Sequence, residues 1–308
     1  MAVTVTTLLD IAKANGSDAA VGLIEEVLTF APEVQMGSAR TIKGLGYKTL
    51  VRTNLPTAAF RNANEGTALV KSTYENRVVE CYRLNPQWEA DKSVADAYED
   101  GAQAWIALEA EGIMRGAFIQ LSSQFYYGTG TGGDTKGFPG LLAAYDSTNM
   151  VVDAAGTTDN VASSVWGVKW GPKDVQWVYG QNGDLTVTDL SVVRVTDSNS
   201  NPYSAYRQEL LAYPGLQVGN IKGIGRIKKL TTDSGKGLTD SLLSDLYSKF
   251  AVGYRPDMWL MNRRSLDQLR NSRTATNPTG APAPIPTDSL GIPIIVTDGI
   301  TSTETLAL

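Results

Sequence analysis

The sequence contains no histidine and only one cysteine, and both shortages exclude kinds of chemistry. Without histidine, neither a Ser-His-Asp nor a Cys-His catalytic arrangement can form, and no metal can be held by imidazole. The single cysteine, Cys81, excludes an intramolecular disulfide and a thiolate-rich metal cluster. Because it lies in a run typical of a strand, we interpret Cys81 as a small core residue.

Long apolar runs and strong charge are also missing. No stretch of about 18 apolar residues is present, and residues 1–10 lack the pattern of a signal peptide, so we predict no membrane span. The net charge of −5 gives no reason to expect sequence-independent binding of nucleic acid. With 42% apolar and 19% charged residues, the composition is that of an ordinary globular protein with one large or two medium domains.

Three pairs of carboxylates remain as candidates for acid–base chemistry, but we interpret all of them as solvated helix surface. Nothing apolar in their surroundings would raise a pKa. The pairs are Glu25 with Glu26, Asp96 with Asp100, and Glu109 with Glu111.

The glycine-rich run Gly128–Gly140 formally matches the spacing of a dinucleotide fingerprint. That fingerprint needs a strand before it, and here a long helix is predicted instead. The run also fails as a phosphate-binding loop, because Thr135 and Gly137 flank Lys136 where glycine and a hydroxyl residue are needed. The sequence therefore predicts no enzyme, no cofactor and no metal site.

Three tryptophans, Trp166, Trp170 and Trp177, flank a turn at residues 171–174 and predict a β-hairpin. One interpretation is a platform on which sugars or bases stack. Aromatic residues at alternate positions more often pack into a core or an interface, and this is the interpretation that we favour.

Residues 35–85 have an extended and basic pattern that predicts two long strands. A two-stranded arm is not stable alone in water, which indicates a partner; an ordinary exposed hairpin on a sheet is the other interpretation. Five basic side chains are candidates for contacts with another subunit: Arg40, Lys43, Lys48, Arg52 and Arg61.

Residues 93–124 carry the clearest helical pattern in the chain. Apolar residues recur at spacings of three and four, which predicts one amphipathic helix about 45 to 50 Å long that Gly128 ends. The acidic residues Asp96, Glu99 and Asp100 are expected in its first turns, where the helix dipole favours negative charge.

Other elements are assigned from the same periodicities. Leu23, Val27 and Phe30 indicate a short helix at residues 20–30, which Pro32 ends. Strands are predicted at residues 189–196, 221–230 and 258–262, and helices at residues 239–252 and 265–271.

The order of these blocks resembles a tailed-phage major capsid protein of the Hong Kong 97 (HK97) type. The passage from the long helix into Gly137–Leu141 looks like the family's exit from its spine helix. Met258–Leu269 looks like its apolar strand, asparagine and short helix, and Leu290–Thr297 resembles its closing Gly-x-Pro strand. The resemblance implies an α+β, HK97-like capsid fold with an N-terminal arm, an E-loop hairpin, a long spine helix, a P-domain sheet and an A-domain.

One departure from the family implies a rearranged strand order. Members usually continue well past the Gly-x-Pro strand to complete the P-domain sheet, whereas this sequence stops at Leu308. Residues 161–230 resemble the missing return. The implied divisions are 1–34 for the N-terminal arm, 35–85 for the E-loop hairpin, 86–127 for the P-domain spine helix, 128–160 for the first part of the A-domain, 161–230 for inserted P-domain strands and 231–308 for the second part of the A-domain.

By the same resemblance, the chain is expected to assemble with itself into hexamers and pentamers of an icosahedral shell around double-stranded DNA, without sequence-specific contacts. Portal and scaffolding proteins are implied partners, and the virion capsid, assembled in the host cytoplasm, is the implied location. Some members crosslink an E-loop lysine to a neighbour; Lys43, Lys48 and Lys71 lie in that region, but noncovalent assembly is favoured. An encapsulin-like nanocompartment and a carbohydrate-binding β protein stay open as alternatives.

Overall fold

The computed structural model describes residues 6–15, 29–130, 132–278 and 280–307. Its helices are α1 (Leu8–Ala14), α2 (Glu33–Met36), α3 (Lys92–Ala95), α4 (Ala102–Tyr127), α5 (Leu141–Ala144), α6 (Asp240–Lys249) and α7 (Arg263–Ala275). Its strands are β1 (Ala39–Thr41), β2 (Gly46–Asn54), β3 (Thr73–Glu80), β4 (Gln87–Asp91), β5 (Val151–Asp153), β6 (Ser163–Val168), β7 (Val175–Tyr179), β8 (Thr186–Val187), β9 (Ser191–Thr196), β10 (Pro202–Leu211), β11 (Pro214–Val218), β12 (Ile224–Leu230), β13 (Met258–Met261), β14 (Asp288–Ser289) and β15 (Ile292–Val296).

The largest sheet, with strand order β14-β15-β13-β6-β12-β5, separates two cores. Successive residues of a strand point to opposite faces of a sheet. Trp166 of β6 therefore packs with the end of α4, while Val165 belongs to the core formed with Leu243 of α6 and Leu269 of α7. The C-terminal part of the chain is in this way built around the end of the long helix.

A second sheet, ordered β4-β10-β8 with β9 also paired to β10, lies against the beginning of the long helix. β10 runs antiparallel to β4. Trp88 and Leu210 of these strands share a core with Trp105 of α4. Ile11 of α1 and Ala95 of α3 complete the same core, so this sheet fixes both short helices beside α4.

Residues 161–230 do not form a single block. β8, β9 and β10 join β4 beside α4, whereas β6 and β12 lie in the six-stranded sheet. β7 and β11 form a third sheet with β1. Among the described strands, β4 pairs with β10, and β8 and β9 are linked to it through β10. The division of the chain into A- and P-domains at the implied boundaries stays a prediction.

The predicted tryptophan hairpin is wrong, although the interpretation of its tryptophans as core is confirmed. β6 and β7 lie in different sheets, and a single bridge, Trp170↔Val175, joins β7 to a residue that follows β6. β7 instead pairs with β1 and β11, which the local pattern does not indicate. Trp166 and Trp177 are 1% and 0% exposed, and Trp170 stacks on Phe125 with ring centroids 5.6 Å apart.

The long helix begins later than its pattern predicts. α3 is a single turn, and α4 begins only at Ala102. Gly101 before it has φ of 89°, a conformation that residues with a side chain rarely adopt, so the helix cannot run through it. α4 spans 26 residues, about 39 Å. Asp96, Glu99 and Asp100 consequently lie in the turn before α4 and not in its first turns.

The remaining elements agree with the sequence. The strands predicted at residues 189–196, 221–230 and 258–262 and the helices predicted at residues 239–252 and 265–271 are confirmed as β9, β12, β13, α6 and α7. Leu23 and Val27, on which the helix at residues 20–30 was predicted, lie outside the described residues. Cys81 follows β3 and is partly buried, less deeply than a core residue.

Candidate assembly surfaces

The arm, residues 46–80, is built from two strands that pair only with each other among the described strands. The antiparallel register runs from Gly46↔Glu80 to Asn54↔Thr73. Near the base, Arg77 donates to the carbonyl of Gly219 at 3.0 Å, and the Tyr47 hydroxyl donates to Gln217. A two-stranded sheet without further strand partners is marginal in water.

The tip of the arm, residues 55–72, exposes apolar side chains. Phe60 and Leu69 are fully exposed, and Leu55 and Val70 are more than half exposed. Burying such a side chain contributes about 1.5 to 3 kcal/mol, and within the described part of the chain these side chains do not gain it. Exposed apolar residues concentrated in this way mark a site for another protein surface.

The five predicted basic residues are all exposed but lie in different places. Arg40 belongs to β1 and Lys43 follows it, so both lie before the arm, whereas Lys48, Arg52 and Arg61 are on it. Three of the side chains interact within the subunit. Arg40 lies 4.8 Å from the ring centroid of Tyr47, Arg52 lies 5.5 Å from that of Tyr74, and Arg61 donates to the carbonyl of Glu65 at 3.0 Å.

The three predicted acidic residues are exposed in the turn between α3 and α4. Asp96 is already engaged: Lys92 pairs with it at 2.5 Å, and the Tyr206 hydroxyl donates to it at 3.1 Å. The hydrogen bond from Lys92 is the main reason that the pKa of Asp96 lies below its usual value. The backbone N–H of Glu99 donates to Asn15, so this turn also holds the segment that follows α1.

Glu109 is the carboxylate that the sequence interpretation misjudged. It is half-buried on α4 and not solvated, because the helix lies against β4. Burial, with a smaller contribution from the charge of Asp10, raises its pKa. The side chain lines a cavity of about 430 Å³ between the helix and the strand. Glu109 and Glu111 are near neighbours in the sequence, and only the tertiary packing distinguishes their surroundings.

Two buried carboxylates form hydrogen bonds with the last two residues of α4. Glu33 accepts a hydrogen bond from the Tyr126 hydroxyl at 2.6 Å, and Glu304 accepts one from the Tyr127 hydroxyl at 2.8 Å. Arg226 pairs with Glu304 at 3.2 Å. Burial and the adjacent carboxylates raise the pKa of both tyrosines, so both stay protonated donors. These hydrogen bonds hold the segments around Glu33 and Glu304, which are far apart in the sequence, against the end of α4. All of these side chains are hydrogen-bonded in the interior of the protein.

Two absences hold for the residues that the structure describes. None of their helices combines the length and the apolar character that crossing a membrane requires. None of their acidic or cysteine side chains gather in a group of three or more that could hold a metal ion.

Solved structures share this fold. A chain in the cryo-EM structure of bacteriophage Epsilon15 superposes with a TM-score of 0.73 at 23% identity, covering 99% of both chains. The SrpI encapsulin of Synechococcus elongatus matches with a TM-score of 0.48 at 11% identity, over 75% of this chain and 98% of its own. The capsid of the Myoviridae phage XM1 matches with a TM-score of 0.47 at 10% identity, over 70% and 97%. No curated protein sequence matches the chain.

The fold is that of the HK97-like phage capsid structures. The model of one family within this class, described as major capsid protein GP7, matches residues 23–307. Because this match spans most of the chain, the protein belongs to the GP7 family of major capsid proteins. It is a component of a phage shell, and the family is structural and not enzymatic.

Proposed function

We propose that copies of this chain form the hexamers and pentamers of an icosahedral shell that encloses double-stranded DNA, with portal and scaffolding proteins as further partners. The observation that carries the proposal is the arm, whose strands pair only with each other and whose tip exposes Phe60 and Leu69. In an assembly, the arm of each subunit lies over the region of α3 and the start of α4 in its neighbour.

Opposite charges support this contact. Residues 43–80 contain six basic and three acidic side chains, whereas residues 91–111 contain one basic and six acidic side chains. Complementary charge steers association and selects the register, while the apolar tip contributes burial. Contacts that are weak one at a time sum over the many copies of a closed shell.

Negative-stain electron microscopy and sedimentation of the purified protein test the proposal. We expect closed shells or ring-shaped capsomers with large sedimentation coefficients. A monomer of 33.0 kDa that never assembles at any concentration would contradict it.

An arm variant separates folding from assembly. Replacing residues 51–75 by Asn-Gly keeps the strand pair up to Leu50↔Asn76 and removes the tip. We expect this variant to fold and to stay monomeric. If it assembled like the parent protein, the arm would not be the assembly element.

The contents of the shell distinguish a virion from the encapsulin-like alternative. Shells isolated from phage-producing cells are expected to protect double-stranded DNA from nuclease. Shells that hold protein cargo and no DNA would favour the nanocompartment instead.

A further inference from the structure

The cavity beside Glu109 lies at the open edge of β4. One side of β4 pairs with β10, and the other side is met only by a single bridge, Thr6↔Ala90, among the described residues. The cavity of about 430 Å³ lies between β4 and α4, and Thr6 also lines it. Its lining includes Trp88, Glu89, Ile106, Glu109, Ile113 and Arg207. A strand edge with space beside it is a place where another chain can approach.

Glu109 lacks a counter-charge in the part of the chain that the structure describes. No lysine or arginine there comes within ion-pair distance of its carboxylate, and the nearby Asp10 is of like charge. Arg207, the cation that lines the same cavity, already forms an ion pair with Glu89, with 2.6 Å between the guanidinium nitrogen and the carboxylate oxygen. A half-buried carboxylate without a cation is costly in an isolated subunit. Glu111, two residues away, is exposed and pairs with Arg115 at 3.4 Å.

A second polar group in the cavity also lacks a partner. Trp88 is 8% exposed, and its indole N–H has no acceptor among the described residues. Buried indole N–H groups usually find one. The lining residues therefore include a carboxylate on α4 without a cation and a tryptophan on β4 whose indole N–H has no acceptor among the described residues.

Resting on the proposed function, we propose that this cavity receives the arm of a second copy, and that a basic side chain of that arm pairs with Glu109. The arm supplies suitable residues: Lys48 and Lys71 are exposed, and neither makes an ion pair within the described chain. The receiving carboxylate is thus Glu109, and not Asp96, which Lys92 already occupies.

Glu109→Gln and Glu111→Gln form a matched pair for the test. Both remove one carboxylate from α4, two residues apart. We expect Glu109→Gln to raise the protein concentration needed for assembly by about tenfold or more, which corresponds to roughly 1.4 kcal/mol per contact. Glu111→Gln is expected to assemble like the parent protein. The thermal midpoint of the unassembled Glu109→Gln subunit should be equal or higher, because an uncompensated half-buried charge is removed.

Two outcomes of this pair would overturn the inference. Equal assembly of both variants would do so and would leave the proposed function standing. A lower thermal midpoint that accompanies the loss of assembly would assign Glu109 a role within its own subunit. Failure of the parent protein itself to assemble would instead count against the proposed function.

Charge reversal tests whether the arm is the source of the cation. Glu109→Lys is expected to abolish assembly, and a reversal to glutamate at one arm position among Lys48, Arg52, Arg61 and Lys71 is expected to restore it in the double variant. Restoration by none of the four would overturn the assignment to the arm.

Discussion

The arm and the core at the end of α4 use similar side chains in opposite ways. In the core, Phe125 and Trp177 are fully buried, with ring centroids 5.4 Å apart. In the arm tip, Phe60 and Leu69 are fully exposed. The same chain thus completes the packing of one region and leaves the other open. The difference indicates that the core determines the stability of the subunit, whereas the exposed side chains of the arm tip contribute little to it.

The largest expected effect is in the core, at Trp177. Its ring packs against Phe125 and Phe138, and its indole N–H donates to the carbonyl of Glu33 at 3.0 Å. We expect Trp177→Ala to lower the free energy of unfolding by about 4 kcal/mol, because it leaves a cavity and an unpaired carbonyl. Urea denaturation measures the loss. A loss below about 1 kcal/mol would contradict the contrast between the two regions.

The buried ion pair gives the next largest effect. Glu304→Gln removes the carboxylate that pairs with the buried Arg226 at 3.2 Å, although the amide oxygen can still accept from Tyr127. We expect the free energy of unfolding to fall by about 3 kcal/mol. Glu65→Gln, on the exposed arm tip, is the control and should change stability by less than about 0.5 kcal/mol. If the two substitutions lowered the free energy of unfolding by the same amount, the contrast between the buried core and the exposed arm would be wrong.

Phe60 is expected to matter for assembly and hardly at all for stability. Phe60→Ser should leave the free energy of unfolding of the subunit within about 0.5 kcal/mol of the parent value, because the ring is fully exposed. Assembly, measured by sedimentation, should be weakened. Val252→Ser is the control, since Val252 is equally exposed but lies in the body after α6. If both variants assembled alike, the tip would not be a contact site.

The smallest expected effect is on the pH dependence of stability, through Asp233. Asp233 accepts hydrogen bonds from Thr157, Thr158 and Thr231, chiefly from the Thr158 hydroxyl, and these hold its pKa below the usual value. A lowered pKa contributes stability that is present above about pH 4 and is lost as the pH falls through the value in the folded state. The stability difference between the parent protein and Asp233→Asn should therefore shrink as the pH is lowered below about 4. A difference that stays constant would refute this.

The elements that the sequence predicts well are those with a local pattern. α6, α7 and β13 follow from periodicity, and the paired strands of the arm follow from their composition. The break before α4 was missed because the apolar spacing continues through Gly101, whose backbone conformation the spacing does not reveal. The partners of β7 were missed because both lie far away in the sequence.

The candidate site was harder to predict than the fold. The exposed basic residues of the arm could be named from the sequence, because charge in an extended segment is read directly. Glu109 could not, because its burial depends on how closely α4 approaches β4, and a helical period gives no measure of that distance. The turn at Asp96 was expected to be helical, and the Lys92 contact that neutralises it follows from the one-turn helix α3.

The two adjacent tyrosines at the end of α4 have a consequence for the order of folding. Tyr126 bonds to Glu33, which lies 93 residues earlier, and Tyr127 bonds to Glu304, which lies 177 residues later. Contacts at such separation form slowly, and a chain is synthesised from its N-terminus. The hydrogen bond between Tyr127 and Glu304 can therefore form only after Glu304 has been synthesised and has left the ribosome. The arm, residues 46–80, is synthesised before Glu304, so both of its strands are present in the nascent chain before the long-range contact of Tyr127 can form.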